Sequence, residues 1–225
     1  DPALSEPVLE YAQQLNWQIS FILNTHHHQD HVGGNIKIKQ ETGCKIIGPL
    51  ADAERIPGID ILVGDQQDVM IGKSKAHILD VPGHTRGHIA YHFADDHVLF
   101  CGDSLFVLGC GRMFEGTAEQ MWNSLTKMRA LSDETQIYCA HEYSKTNAEF
   151  ALTIDPDNIL LRQKFDQIKQ MRKRLESTVP SRLGDEKQTN PFLRADDADF
   201  IKQLGMEGKM PFEVFGALRL KKDCF

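Results

Sequence analysis

An apolar run, Gln18-Ile19-Ser20-Phe21-Ile22-Leu23, delivers the chain into Thr25-His26-His27-His28-Gln29-Asp30-His31, and Val32-Gly33-Gly34-Asn35 then releases it into a helical pattern. A buried strand, a loop dense in imidazole and carboxylate, and a helix form the unit in which α/β proteins place their chemistry. Each neutral imidazole offers one lone pair and each carboxylate two oxygens, so the loop can hold borderline divalent cations. Near-extended backbone at His26 and His28 points both rings one way and His27 the other. Asp30 and His31 follow the turn and can face a second ion. The bland alternative is a solvated histidine cluster or a purification tag. A tag would be terminal and would not alternate with aspartate behind an apolar strand.

Three later segments repeat the arrangement of a strand closed by one ligand-grade residue. They are Pro82-Gly83-His84-Thr85-Arg86-Gly87-His88, Cys101-Gly102-Asp103-Ser104 and Ala140-His141-Glu142-Tyr143. Singly, a histidine at a strand end is more often hydrogen-bonded structure and a Gly-Asp more often a turn. Jointly, strand ends converging on one crevice are the usual way to assemble a site from distant sequence. The count closes on two ions. His26, His28 and His84 serve one, Asp30, His31 and His141 the other, and Asp103 bridges them. His27, His77, His92 and His97 are read as non-ligands and His88 as a neighbour of the ligands, while Cys101 and Cys139 sit in strands as core residues.

Around these segments the chain divides. Ser5 is placed to cap a first helix carrying Val8, Leu9, Ala12 and Leu15. Asn35 to Thr42 reads as a helix ended by Gly43, and Lys45-Ile46-Ile47 as a strand. Strands follow at Asp68–Ile71, His77–Val81, Ile89–Phe93 and Val98–Phe100, with a hairpin turn at Ala94-Asp95-Asp96. Thr117-Ala118-Glu119-Gln120 is a capping box for a helix facing inward through Met121, Leu125, Met128 and Leu131. Gln136–Cys139 is a further strand. Beyond it Leu161, Phe165, Ile168, Met171 and Leu175 keep helical spacing, and helices follow Asp196 and Pro211. The expected division is a catalytic α/β domain over 1–145 and a helical substrate-binding domain over 146–225.

Composition narrows the class. With 225 residues, 41% hydrophobic and 25% charged, the chain can bury a sizeable core. A net charge of −7 argues against a nucleic-acid binder. No uncharged apolar run is long enough to span a membrane, and no signal peptide is visible at Asp1-Pro2. Five cysteines without a CxxC suit a reducing cytoplasm. The expectation is a cytoplasmic monomer acting on a small molecule, with no nucleic-acid or membrane partner.

The segments THHHQDH, PGHTRGH, CGDSLF and AHEY resemble those of the binuclear hydrolases of the metallo-β-lactamase superfamily. Gly109-Cys110-Gly111-Arg112-Met113-Phe114-Glu115-Gly116-Thr117, Thr189-Asn190-Pro191-Phe192-Leu193-Arg194 and the ending Arg219-Leu220-Lys221-Lys222-Asp223 narrow the resemblance to the glyoxalase II (hydroxyacylglutathione hydrolase) family. The resemblance implies an αββα sandwich with a C-terminal helical domain. It also implies two divalent metal ions, zinc first and iron or manganese as alternatives, and a glutathione contact set of Arg112, Phe114, Tyr143, Arg219 and Lys222. The family commonly carries a tyrosine at position 114, so Phe114 lacks one hydroxyl. Arg219 and Lys222 read from spacing alone equally well as solvated helix charges. Family members begin with strands ahead of an Asp-Pro-Gly turn, so N-terminal strands are expected to be missing ahead of Asp1-Pro2-Ala3.

The implied reaction is hydrolysis of S-D-lactoylglutathione to glutathione and D-lactate, the second step of methylglyoxal detoxification. Two cations would make water nucleophilic near neutral pH, with Asp103 between them and Asp30 orienting the attack as the catalytic carboxylates. The rival inside the superfamily is a mononuclear iron persulfide dioxygenase, which uses a smaller ligand set. A β-lactamase fits less well, because the position of Asp103 is normally cysteine in the common di-zinc types. A non-catalytic metal-binding module is the reading from another class.

Overall fold

A computed structural model describes all 225 residues. Helix α1 (Ser5–Gln14) leads to β1 (Phe21–Leu23), α2 (Gln29–Val32) and α3 (Asn35–Thr42), then to β2 (Lys45–Pro49) and β3 (Ile61–Val63). The three strands pair in parallel in the order β1-β2-β3. Parallel neighbours need a crossover. Between β1 and β2 it is α2 and α3, and Gly43 ends α3 in the left-handed conformation at φ 71°.

The second sheet holds β4 (Asp68–Ile71), β5 (Ser74–Asp80), β6 (Ile89–Phe93) and β7 (Val98–Gly102). A short hairpin, β8 (Leu105–Phe106) and β9 (Gly109–Cys110), stands apart from it. After α4 (Ala118–Arg129) the sheet is completed by β10 (Gln136–Cys139). Helices α5 (Ser144–Ile154) and α6 (Ile159–Lys173) precede β11 (Ser181–Arg182), and α7 (Leu183–Thr189), α8 (Ala198–Gln203) and α9 (Pro211–Asp223) close the chain. Strand order is β11-β10-β7-β6-β5-β4, antiparallel except for the β7–β10 pair.

Because successive strand residues face opposite ways, one sequence serves two layers. Ile46 packs with Ile22, Val32 and Ile38, whereas its neighbour Ile47 joins Ala76, Ile78, Ile89 and Tyr91 between the sheets. On the far face of the second sheet, Leu79, Val81, Ala90, Leu99 and Cys101 meet Met121, Leu125 and Met128 of α4 and Phe215 and Leu218 of α9. The result is the layered α/β/β/α arrangement that the family resemblance implies.

Several local expectations change. Ser5 does not cap α1: Leu4 occupies that position, and the Ser5 hydroxyl donates to Glu6 instead. Val8 and Leu15 of that helix are exposed, and only Leu9 reaches the core under α3. Leu175 lies beyond the end of α6, with φ 59° and 85% exposure, because the helix closes at Arg174. The stretch after residue 145 is helical apart from β11, which adds to the sheet edge at β10.

The β8–β9 hairpin is gripped from the C-terminal helices. Glu186, fully buried, accepts from the Leu108 N–H (2.7 Å), Asn190 Nδ2 (3.1 Å), Lys164 Nζ (2.5 Å) and Ser181 Oγ (2.6 Å). Asn190 also donates to the carbonyls of Phe106 and Gly109, and Asn147 to that of Val107. This hairpin separates Asp103 from the Arg112–Thr117 segment, so its fixation places both.

Candidate active site

The ligand-grade residues stand at strand ends. His26, His28, Asp30 and His31 follow β1, His84 follows β5, Asp103 follows β7 and His141 follows β10. Strands β5, β7 and β10 run the same way in one sheet, so their C-terminal ends share an edge, and β1 delivers the histidine loop from the other sheet. Close approach needs Gly102: a Cβ there would sit 2.3 Å from Thr25 Oγ1 and 2.9 Å from the His88 ring. Its φ of 48° also disfavours any side chain.

Both expected ligand groups come together. His26 Nε2 lies 3.0 Å from His28 Nδ1, which lies 3.1 Å from His84 Nε2. Nitrogens bound tetrahedrally to one cation at about 2.0–2.1 Å would be about 3.3 Å apart, close to this spacing. Asp30, His31 and His141 form the second group, with Asp30 Oδ2 at 3.7 Å from His31 Nε2 and 3.4 Å from His141 Nε2. Asp103 lies between them. Its Oδ1 is 3.3 Å from His31 Nε2, and its Oδ2 is 3.4 Å from both His84 Nε2 and His141 Nε2.

The donor set itself tests the fit of a metal. His31 Nε2 and Asp103 Oδ1 are buried with no hydrogen-bond partner, although buried polar atoms are otherwise almost always paired. Burial lowers the pKa of His26, His28 and His84, keeping their lone pairs free of protons. Burial pushes the Asp103 carboxyl up, but the surrounding nitrogens of His31, His84 and His141 outweigh it and hold it below the usual carboxylate range. Neutral imidazoles and an ionised carboxylate are the forms that bind divalent cations. His84 is oriented by its other nitrogen, whose Nδ1–H donates to the Arg112 carbonyl at 2.9 Å.

The residues expected to meet substrate divide into two kinds. Phe114, 62% exposed, lays its ring against His28 and His84, with centroids 5.8 and 5.2 Å away. Tyr143 is half exposed and stacks on His141 at 4.9 Å. Arg112 is exposed, with Nε 3.4 Å from Asp223. Lys222 reaches the Thr146 carbonyl at 3.2 Å over the ring of Phe150, and burial lowers its pKa. Arg219 differs: it is 5% exposed, donates to the Cys110 carbonyl at 2.8 Å and to Asp223 at 3.1 Å, and lies over Phe192.

Three contributors were not singled out in the sequence. Asp1 accepts from Thr25 N–H at 2.7 Å and Thr25 Oγ1 at 2.6 Å, and its Oδ2 lies 3.1 Å from His31 Nδ1, so it orients that ring. Asp52 meets His27, and Glu115 meets Arg55, beneath the histidine loop. His88, expected near the ligands, stacks on His26 at 4.6 Å and accepts the Asp103 N–H at 3.1 Å. Burial takes His88 down to about 3, so it stays neutral. Burial also raises the thiols of Cys101 and Cys139, the latter to about 12, leaving both unreactive in the core.

Comparison with known proteins agrees along the whole length. Residues 1–141 match the metallo-beta-lactamase superfamily, and residues 142–225 match the hydroxyacylglutathione hydrolase C-terminus. A hydroxyacylglutathione hydrolase of Rhodospirillum rubrum is 56% identical over 225 residues, covering 100% of this chain and 88% of the relative. One from Methylococcus capsulatus is 50% identical with the same coverage. Among solved structures, ETHE1 from Myxococcus xanthus superposes with a TM-score of 0.65 at 22% identity, covering 100% of this chain and 86% of that one. The B3 metallo-beta-lactamase BLEG-1 gives 0.62 at 19% identity, covering 84% of each chain. These two share the fold.

Proposed function

Because this chain belongs to the hydroxyacylglutathione hydrolases of the metallo-β-lactamase superfamily, we propose that it hydrolyses S-(2-hydroxyacyl)glutathione, with S-D-lactoylglutathione as the representative substrate, through a site for two divalent cations. The observation that carries the reading is the pair of ligand groups meeting at Asp103, with His31 Nε2 and Asp103 Oδ1 buried and unpartnered. His26, His28 and His84 would hold one ion and Asp30, His31 and His141 the other, with Asp103 shared. The thiolate-free donor set suits zinc, with iron or manganese as alternatives. Bound there, such cations supply the Lewis acidity that activates water and polarises the thioester carbonyl.

The chain's own residues do the rest. Asp30, the most exposed carboxylate of the set, orients the attacking water and takes up its proton. Phe114 and Tyr143 flank the rings of His84 and His141 and wall the reacting thioester from bulk water. Arg112 and Lys222 offer positive charge for the two carboxylates of a glutathione moiety, while Arg219 holds the backbone at Cys110. The departing thiol has a solution pKa of about 8.5, so it leaves as thiolate without a dedicated acid.

The test joins elemental analysis to thioester turnover. Two equivalents of metal and release of glutathione from the lactoyl thioester are expected. One equivalent of iron, with oxygen consumption on a glutathione persulfide, would replace this reading with the dioxygenase one. No helix is long and apolar enough to cross a membrane.

A further inference from the structure

His27 is the histidine of the run whose nitrogens bond to Asp52 and Arg55 and to no other imidazole, and its partners form a path that no ligand shares. Asp52, with its side chain fully buried, accepts from His27 Nδ1 at 2.8 Å and from Arg55 Nε at 3.2 Å. His27 Nε2 is then the accepting nitrogen, 3.2 Å from Arg55 Nη1. The ring is therefore clamped at both ends as the Nδ1–H tautomer. Arg55 continues to Glu115, Nη1 to Oε1 at 2.5 Å and Nη2 to Oε2 at 3.2 Å. Glu115 Oε2 also accepts the Arg86 backbone N–H at 2.8 Å.

These bonds join four segments: the histidine loop, the turn at 52–55, the loop carrying His84, and the loop carrying Phe114. Asp52 also lies directly against Gly87, where a Cβ would come within 2.2 Å of its Oδ1. None of Asp52, Arg55 and Glu115 bonds to His26, His28 or His84. Each instead holds the backbone or a neighbour on which those ligands ride.

We propose that the Asp52–His27–Arg55–Glu115 path is a positioning device that sets the separation of His26 and His28 from His84, and thereby the metal affinity of that trio. The inference rests on the reading of the trio as metal ligands. Charge-assisted bonds hold their geometry better than neutral ones, and a guanidinium that bridges several partners cannot be replaced by a lysine.

The test uses the metal-loaded protein and a chromogenic chelator that competes for the ions, beside kcat, KM and the unfolding temperature. Glu115→Gln, Arg55→Lys and Asp52→Asn should each weaken retention of one ion about 10-fold, near the lower end for groups that orient ligands. kcat at limiting metal should fall in parallel and KM should hold. Arg55→Lys should lose as much as Arg55→Gln. If the variants keep parental metal affinity and lose only unfolding temperature, the path is architecture and the proposal is wrong. Should Asp52→Asn not fold, Glu115→Gln decides, because its side chain is a quarter exposed. A parent protein that retains no metal would overturn the site reading first, before any variant is compared.

Discussion

Glu186 and Asp103 are both buried carboxylates, yet they live in opposite surroundings. Glu186 faces donors on every side: a backbone N–H, an amide, a hydroxyl and the Lys164 ammonium. Asp103 faces the nitrogens of His31, His84 and His141 at 3.3–3.4 Å, and one of its oxygens has no hydrogen-bond partner. A buried charge surrounded by fixed protons is architecture, because its desolvation is offset where it sits. A buried charge among the lone pairs of neutral imidazoles is compensated only by a cation. The contrast separates the part of the molecule that shapes the site from the part that reacts.

Asp103→Asn breaks the contrast most directly. A neutral amide cannot bridge two cations, so metal content should fall from two equivalents toward one. kcat/KM should drop about 10³-fold or more, roughly 4 kcal/mol of transition-state stabilisation. The unfolding temperature of the metal-free protein should move little, since Asp103 Oδ1 has no protein partner to lose. Near-normal turnover with two metals retained would show that Asp103 is no bridge.

Glu186→Gln should give the reverse pattern. Removing one partner of a buried ion pair leaves Lys164 uncompensated, a loss of about 3 kcal/mol in unfolding free energy. At saturating metal the stoichiometry should stay at two, because no candidate ligand touches Glu186. A lost metal with unchanged stability would invert the assignment of the two carboxylates.

The same division splits Arg219 from Lys222, which stand one turn apart on α9. Arg219 is bonded to the Cys110 carbonyl behind the substrate loop, so Arg219→Ala should lower activity equally on lactoylglutathione and on a small thioester without the peptide. It should also lower the unfolding temperature. Lys222→Ala should raise KM for the glutathione substrate alone, by about 10-fold, the scale of one charge-assisted hydrogen bond. Equal behaviour of the two variants on both substrates would erase the distinction.

What the sequence made legible follows from how local each signal is. Asp68–Ile71, Ile89–Phe93 and Gln136–Cys139 form as strands with the expected bounds, because their apolar residues are bounded by turn residues. The capping box at Thr117 forms through contacts only three residues apart. The strand Ile61–Val63 escaped notice because three residues carry no period and its partner β2 supplies the reason for it. Helix α5 begins without a side-chain cap at Tyr143, and α7 is short and polar, so neither announces itself. At the site, the ligand-grade residues were visible because His84, Asp103 and His141 each follow a strand and the other four crowd one short loop and helix behind β1. Asp52 and Glu115 were not, since single carboxylates in loops read as surface. Spacing alone could not separate a substrate contact from a solvated charge at Arg219, because its bond to the Cys110 carbonyl lies 109 positions away.

The smallest expected effect lies in the pH dependence of Glu115. Its carboxyl is lowered to about 2 from the usual 4.5, first by the Arg55 hydrogen bond, against a burial that pushes it up. A carboxyl whose folded pKa is depressed adds stability that is complete above its unfolded pKa and disappears as pH falls through the folded one. Measured on chelator-treated protein, so that metal release plays no part, the parent should exceed Glu115→Gln in unfolding free energy at pH 6 to 7. The difference should be about 1 kcal/mol, the scale of a partly exposed ion pair. It should shrink steadily between about pH 4.5 and pH 2 and vanish below that. A difference that is flat across this window would mean that Arg55 holds Glu115 by shape and not by charge.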